Sequence, residues 1–272
     1  MLLIDKFRVW HSKKVNGRLR SLLGKFYWFG VMTRNACRYG DKDMFHFVNI
    51  ELSRRCNRRC DYCPISEYPD YKAETDLSTE DFAAIIDQLQ ELDYSGKVCF
   101  TGYYEPLMHD DFLEHVRYAR SKLKKAKIIV YTNGDLLDEL TFQTLQKYSV
   151  LLIVSLHNDA DGKNYRRIME ITGGNNVIIK KNMERFILST RGGAVPVRKK
   201  EVKTSCILPS VQLTIDSEGN VILCFDDFFS DYTFGNIRDD KLMDIWKSKR
   251  FESTRKALRK GRAAEDICKK CF

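Results

Sequence analysis

The sequence contains no run of about 18 or more apolar residues, so no transmembrane helix is expected. It also shows no secretory signal. The opening MLLIDKFRVWHSKK has neither a long apolar core nor a small-residue cleavage site, and a cytoplasmic location is the expectation. Internal repeats and low-complexity tracts are missing. So are zinc-finger spacing and an RNA-recognition pattern, and a nucleic-acid partner is not expected. A disulfide framework is disfavoured as well: the nine cysteines are odd in number and no signal accompanies them.

What is present fits a folded enzyme-sized chain. Of 272 residues, 43% are hydrophobic and 12% aromatic, enough for one large domain or one domain plus a small module. The net charge is +9, and part of it is local. Residues 13–38 carry Lys13, Lys14, Arg18, Arg20, Lys25, Arg34 and Arg38 with no acid among them. Residues 1–45 therefore form a basic N-terminal extension. Within it RLRSLLGKFYWFGVM reads as a partly amphipathic helix, weakened at Gly24 and Gly30. Packing against the outside or bottom of the main domain is the favoured role, and contact with a membrane surface the alternative.

From residue 46 onward, short apolar runs alternate with helical patterns. Strands are expected at 46–52, 97–101, 127–131, 151–156, 176–180 and 186–189, and helices at 78–92, 110–125 and 138–147. Ser78, with Asp81 three positions later, gives the first of these helices an imperfect capping box. Such alternation implies an α/β fold with a parallel sheet, either a barrel or an open doubly wound sheet, over 46–190. The pattern changes after RGG at 191–193. There VQLTI and VILC flank DSEGN, a hairpin signal, and a helical stretch follows at about 239–260. Residues 191–272 read as a small α+β module.

Seven cysteines fall into two groups. Cys56, Cys60 and Cys63 sit in NIELSRRCNRRCDYCPIS, just after an apolar strand, where parallel sheets keep their chemistry. Three thiolates cannot close a four-iron cluster, and an open metal position marks a reactive site. A zinc ion borrowing His109 or His157 is the alternative, although zinc more often shows paired C-x2-C units. Cys206, Cys224, Cys268 and Cys271 number four, which suits one closed cluster or a structural zinc. Cys37 and Cys99 are left over.

The first group resembles the signature of the radical S-adenosylmethionine (SAM) superfamily, C-x3-C-x-aromatic-C, with Tyr62 as the aromatic residue. FTGYYEPLMHDD, YTNGDLL and VSLHN resemble the family's further segments, in order. Tyr104 stands where a second glycine is usual. The second group, with GNVILC, FGNI…DIW…F…RKAL and the terminal C-x2-C, resembles the SPASM or Twitch extension of the same enzymes. The resemblance implies a partial (β/α)6 TIM-like barrel with a small C-terminal α+β Twitch/SPASM-like module. It also implies two [4Fe–4S] clusters and S-adenosyl-L-methionine as cofactors. SAM is then expected against Tyr62, Tyr104, Glu105, Thr132, Asn133 and Ser155.

Within the superfamily the chain is most similar to dehydrogenases that oxidise a secondary alcohol of an aminocyclitol, through STRGG, SCILPS and GNVILCFDDF. That likeness implies a small-molecule substrate, an aminocyclitol or sugar, in an antibiotic biosynthesis setting. It also implies an electron donor or acceptor such as flavodoxin or ferredoxin. Arg191, in the STRGG match, is the candidate catalytic residue, with Tyr131 and His157 behind it. Two alternatives stand: a radical epimerase using Cys99 as hydrogen donor, and a peptide maturase.

Overall fold

A computed structural model describes residues 17–157, 159–181, 190–196 and 205–271, with side chains from residue 22 onward. Five parallel strands follow one another across a sheet: β1 (Phe47–Ile50), β2 (Lys97–Phe100), β3 (Lys127–Thr132), β4 (Leu151–Ser155) and β5 (Val177–Lys180). Most of their residues are buried, as expected of strands covered on both faces. The expected strand at 186–189 lies outside the described residues.

The other side of β1 is taken by β6 (Gln212–Ile215), which pairs with it in parallel. β6 then turns back as an antiparallel ribbon through β7 (Asn220–Ile222) to β8 (Thr233–Asn236). The C-terminal segment therefore extends the main sheet, whose order is β5-β4-β3-β2-β1-β6-β7-β8. The β6–β7 turn is the one expected from DSEGN: Gly219 adopts φ +79 and donates its N–H to Asp216. No strand is expected at β8 from the sequence.

The helices cover one face of the sheet. α1 (Gly17–Tyr39) precedes β1, and the single turn α2 (Pro64–Glu67) follows the first cysteines. α3 (Thr79–Glu91), α4 (Phe112–Lys122) and α5 (Glu139–Lys147) match the expected helices to within a few residues. α6 (Lys163–Thr172) was missed: it starts and ends on left-handed glycines, Gly162 and Gly173, and its first N–H groups are capped from further upstream, by the carboxylates of Asp159 and Asp161. The helix expected at 239–260 is two, α7 (Leu242–Lys247) and α8 (Lys249–Lys260). Between them the extended Ser248 accepts a hydrogen bond from the N–H of Phe251. α9 (Asp266–Lys270) closes the described chain.

At α3, Ser78 does cap the N–H of Asp81. The Asp81 carboxylate turns instead to Arg238 in the C-terminal segment, so only half of the capping box forms.

Strand alternation sorts the residues. Val48, Ile50, Val98, Phe100, Ile128 and Val130 face the helices in the main core. Phe47, Cys99, Ile129, Tyr131, Ile153 and Ile178 cluster on the opposite, concave face. α1 runs unbroken through Gly24 and Gly30 and packs beneath the N-terminal ends of the strands, the favoured role. Asn35 donates to the carbonyl of Met44, Arg34 to that of Ser95, and Arg38 pairs with Asp93. Its other face leaves Leu22, Phe26 and Phe29 exposed. Among the described residues no helix is long and apolar enough to cross a membrane.

Candidate active site

The site forms at the C-terminal ends of β1 to β4, where the loop carrying Cys56, Cys60 and Cys63 is fastened on several sides. Arg58 forks onto both oxygens of Asp135, at 2.5 Å each, and donates to the carbonyl of His157 at 3.0 Å. Asn57 bridges Asp135 and Asn133. Tyr62 hydrogen-bonds His157 Nδ1, their rings stacked at 5.7 Å. The cluster loop is thus tied to the ends of β3 and β4.

Glu105 is the hub of the next layer. Its carboxylate accepts from Thr132 Oγ1 at 2.6 Å, the N–H of Asn133 at 2.7 Å and the N–H of Leu107 at 3.2 Å. Three of the expected SAM residues therefore hold one another in a buried set. Burial raises the pKa of Glu105, and these donors counter the rise. Tyr104 fits its position without crowding the loop: its ring points into the main core and its hydroxyl donates to the carbonyl of Ile50 at 3.3 Å. The glycine that the loop does require is Gly102, where a Cβ would stand 2.3 Å from Glu51 Oε2. Ser155 ends β4, in register with Lys180 on β5. Lys180 Nζ lies 5.2 Å from the ring of Tyr131.

The three thiols feel one another's charge. Burial pushes Cys56 up to about 11 and raises Cys63, the latter opposed by the charge of Arg191. In the C-terminal segment Cys206, Cys224, Cys268 and Cys271 are likewise coupled, and burial pushes Cys268 and Cys271 up to about 12. None of the seven is in a disulfide among the described residues. Crowded, partly buried thiols without disulfides are a donor set that a metal centre would deprotonate, and the two groups fit thiolate ligation. Among the described residues no three His, Cys, Asp or Glu side chains close on the shell of a single ion.

Between the two groups stands Arg191, whose backbone is left-handed at φ +51 ahead of Gly192 and Gly193. A non-glycine residue held there is strained, and such strain concentrates at functional sites. Arg191 Nη1 pairs with Asp226 Oδ1 at 3.2 Å, and Asp226 Oδ2 lies 3.8 Å from Cys271 Sγ. The guanidinium also lies 5.8 Å from the ring of Tyr103. Burial works against its charge, but Tyr103 and Asp226 outweigh burial and its pKa rises.

Several functional residues escaped sequence reasoning. Asp226 sits in the CFDD stretch with nothing to distinguish it from Asp227. Tyr103 is buried against Phe228 with no hydrogen-bond partner for its hydroxyl among the described residues. Arg54 and Glu51 form a buried ion pair at the end of β1. From there Arg54 donates to the carbonyl of Phe228 at 3.1 Å and lies 4.7 Å from its ring, which joins the cluster loop to the C-terminal segment.

Comparison with known proteins bears on both halves. Residues 50–189 match the radical SAM superfamily, and residues 206–272 match SPASM, an iron–sulfur cluster-binding domain. The S-adenosyl-L-methionine-dependent 2-deoxy-scyllo-inosamine dehydrogenase of Niallia circulans is 32% identical over 235 residues, covering 84% of this chain and 93% of that protein. The crystal structure of BtrN in complex with AdoMet and 2-DOIA is similar with a TM-score of 0.76, at 32% identity and the same two coverages. SuiB of Streptococcus suis bound to its precursor peptide SuiA has a TM-score of 0.59 at 15% identity, over 88% of this chain and 72% of that one; it shares the fold alone.

Proposed function

Because this chain belongs to the radical SAM superfamily and carries its SPASM module, we propose that it oxidises a secondary alcohol of an aminocyclitol or aminosugar to a ketone. The enzyme is a radical SAM oxidoreductase that uses SAM and two [4Fe–4S] clusters. Cys56, Cys60 and Cys63 would hold the first cluster with one iron left for SAM, and Cys206, Cys224, Cys268 and Cys271 would close the second. When bound, these groups would supply the chemistry an alcohol oxidation needs, removal of the carbinol hydrogen on the SAM side and acceptance of an electron on the auxiliary side, while the hydroxyl proton leaves through this chain's own polar groups.

The observation that carries the reading is the Arg191–Asp226 pair, which faces Cys63 on one side and Cys271 on the other. A substrate lodged there lies between the two cysteine groups, as an oxidation that uses both requires. Arg191 stays charged, so it would orient the substrate oxygen and stabilise its developing negative charge rather than act as a free base. Asp226, which positions Arg191 Nη1, would also receive a substrate ammonium. Tyr103 would wall the pocket between them. Tyr62, Tyr104, Glu105, Thr132, Asn133 and Ser155 would line the SAM side. The hydrogen-bonded Glu105 set would act there mainly by fixing backbone groups.

The epimerase alternative needs a thiol at the substrate. Cys99 is fully buried and clusters with Ile129 and Ile153. A protein electron carrier of the flavodoxin or ferredoxin class would serve the clusters.

The test is anaerobic turnover with a panel of aminocyclitols, aminosugar glycosides and candidate peptides, with product masses recorded. The expected product is lighter than its substrate by about two mass units, the two hydrogens of an alcohol oxidation. Arg191→Lys, which keeps the charge but loses the planar fork, is expected to lower turnover about tenfold or more while SAM binding persists. A product of unchanged mass that carries solvent deuterium, lost in Cys99→Ala, would replace this reading with epimerisation.

A further inference from the structure

The auxiliary cysteines have a cation among them. Arg262 lies in the single turn Arg262–Ala264 between α8 and α9, and its Nη1 donates to Cys271 Sγ at 2.9 Å. Its Nε is shielded from solvent. Its charge reaches Cys206 and Cys268 as well as Cys271 and Asp226. The same sulfur has a carboxylate on another side, Asp226 Oδ2 at 3.8 Å, but that carboxylate is shared with Arg191.

We propose that Arg262 sets the reduction potential of the auxiliary iron–sulfur site, holding it high enough to take the electron that substrate oxidation releases. The potential of such a site follows its net charge, the hydrogen bonds to its sulfurs and its exposure. Reduction adds a negative charge to a group already ligated by four thiolates. A guanidinium fixed against one of those sulfurs favours the more negative state, and shielding from water strengthens the effect. Arg suits this task better than Lys because its planar fork holds the donor in place and its charge is permanent. Arg191 is engaged with Asp226, whereas Arg262 donates directly to a ligand sulfur. Arg262 is thus a positioning residue: it touches a cluster ligand, whereas the residues proposed to meet the substrate are Arg191 and Asp226.

The inference rests on the reading of the two cysteine groups as cluster sites, and its test involves no substrate. The reconstituted holoenzyme is titrated with reductant while its electron paramagnetic resonance signals are followed, the open cluster being identified by its response to SAM. Arg262→Gln is expected to move the auxiliary midpoint to a more negative potential, so that a smaller fraction is reduced at any fixed potential. The midpoint of the SAM-responsive cluster stays where it was. Arg262→Lys, charged but without the fork, is expected to give a smaller shift in the same direction. It also serves as the deciding variant if the glutamine protein loads only half its iron. An auxiliary midpoint that is unmoved, or moved positive, in a fully loaded variant overturns the proposal. Equal shifts of both clusters overturn it too, because a general loosening of the protein would then explain them.

Discussion

His46 and His115 are buried, and neither ring nitrogen of either residue has a hydrogen-bond partner among the described residues. Burial, with the nearby charges of Arg34 and Lys97, depresses His46 to about 3; burial, with His109, depresses His115 to about 4. Both stay neutral in the folded chain, whereas the unfolded chain protonates them near pH 6.5. The unfolded state therefore gains protons first as pH falls, and stability drops from pH 6.5 downward until the folded-state values are reached. The expected loss is about 1 kcal/mol per histidine between pH 7 and pH 5.5. Urea unfolding at the two pH values measures it, and His46→Leu should remove its share of the difference. At this scale the cysteines were legible because thiolate chemistry constrains their spacing along the chain. Asp226, Arg262 and the Arg54–Glu51 pair were not, because their meaning comes from partners that only the fold brings close. Arg54 meets Phe228, for example, across most of the sequence.

The β6–β7 hairpin makes the corresponding point for elements. Gly219 combines φ +79 with a position where a Cβ would lie 2.8 Å from Ile237 Cγ1. Gly219→Ala is expected to cost about 1–3 kcal/mol through backbone strain and crowding, read as a lower thermal or urea midpoint. It should also weaken retention of the auxiliary cluster, since Cys224 follows β7 directly. DSEGN announced that turn because few residues tolerate the conformation. The parallel strands were legible for a similar reason: strands buried on both faces must be apolar along their length. α6 was not legible. Its first turn is capped by Asp159, three residues ahead of the usual cap position at Gly162, and its face toward the core contributes only Ile168 and Thr172 as buried residues.

At the scale of the whole molecule, the pairing of β6 with β1 decides how the two cysteine groups depend on each other. The change of pattern after residue 191 marked the C-terminal segment as a small α+β module, and residues 206–272 match the SPASM domain. Its first strand is also a sheet neighbour of the strand that leads to Cys56, and Arg54 and Asp81 reach across to Phe228 and Arg238. Metal ligation at the two sites should therefore stabilise the chain unequally. Cys56, Cys60 and Cys63 lie within one short loop already fastened by Arg58 and Asn57, so a cluster there closes little chain entropy. The auxiliary cysteines draw together segments near 206, 224 and 268–271, and a centre joining them closes much longer loops. Reconstituted protein should carry about eight irons, and replacing Cys56, Cys60 and Cys63 together by Ala should leave about four with a nearly unchanged thermal midpoint. Replacing Cys268 and Cys271 by Ala should also leave about four irons, but lower the midpoint by several degrees. Because β6 is continuous with the main sheet, that loss should appear as one cooperative transition of the whole chain. Two separate transitions, with the second at the unmodified temperature, would show instead that the C-terminal segment unfolds independently of the sheet it extends.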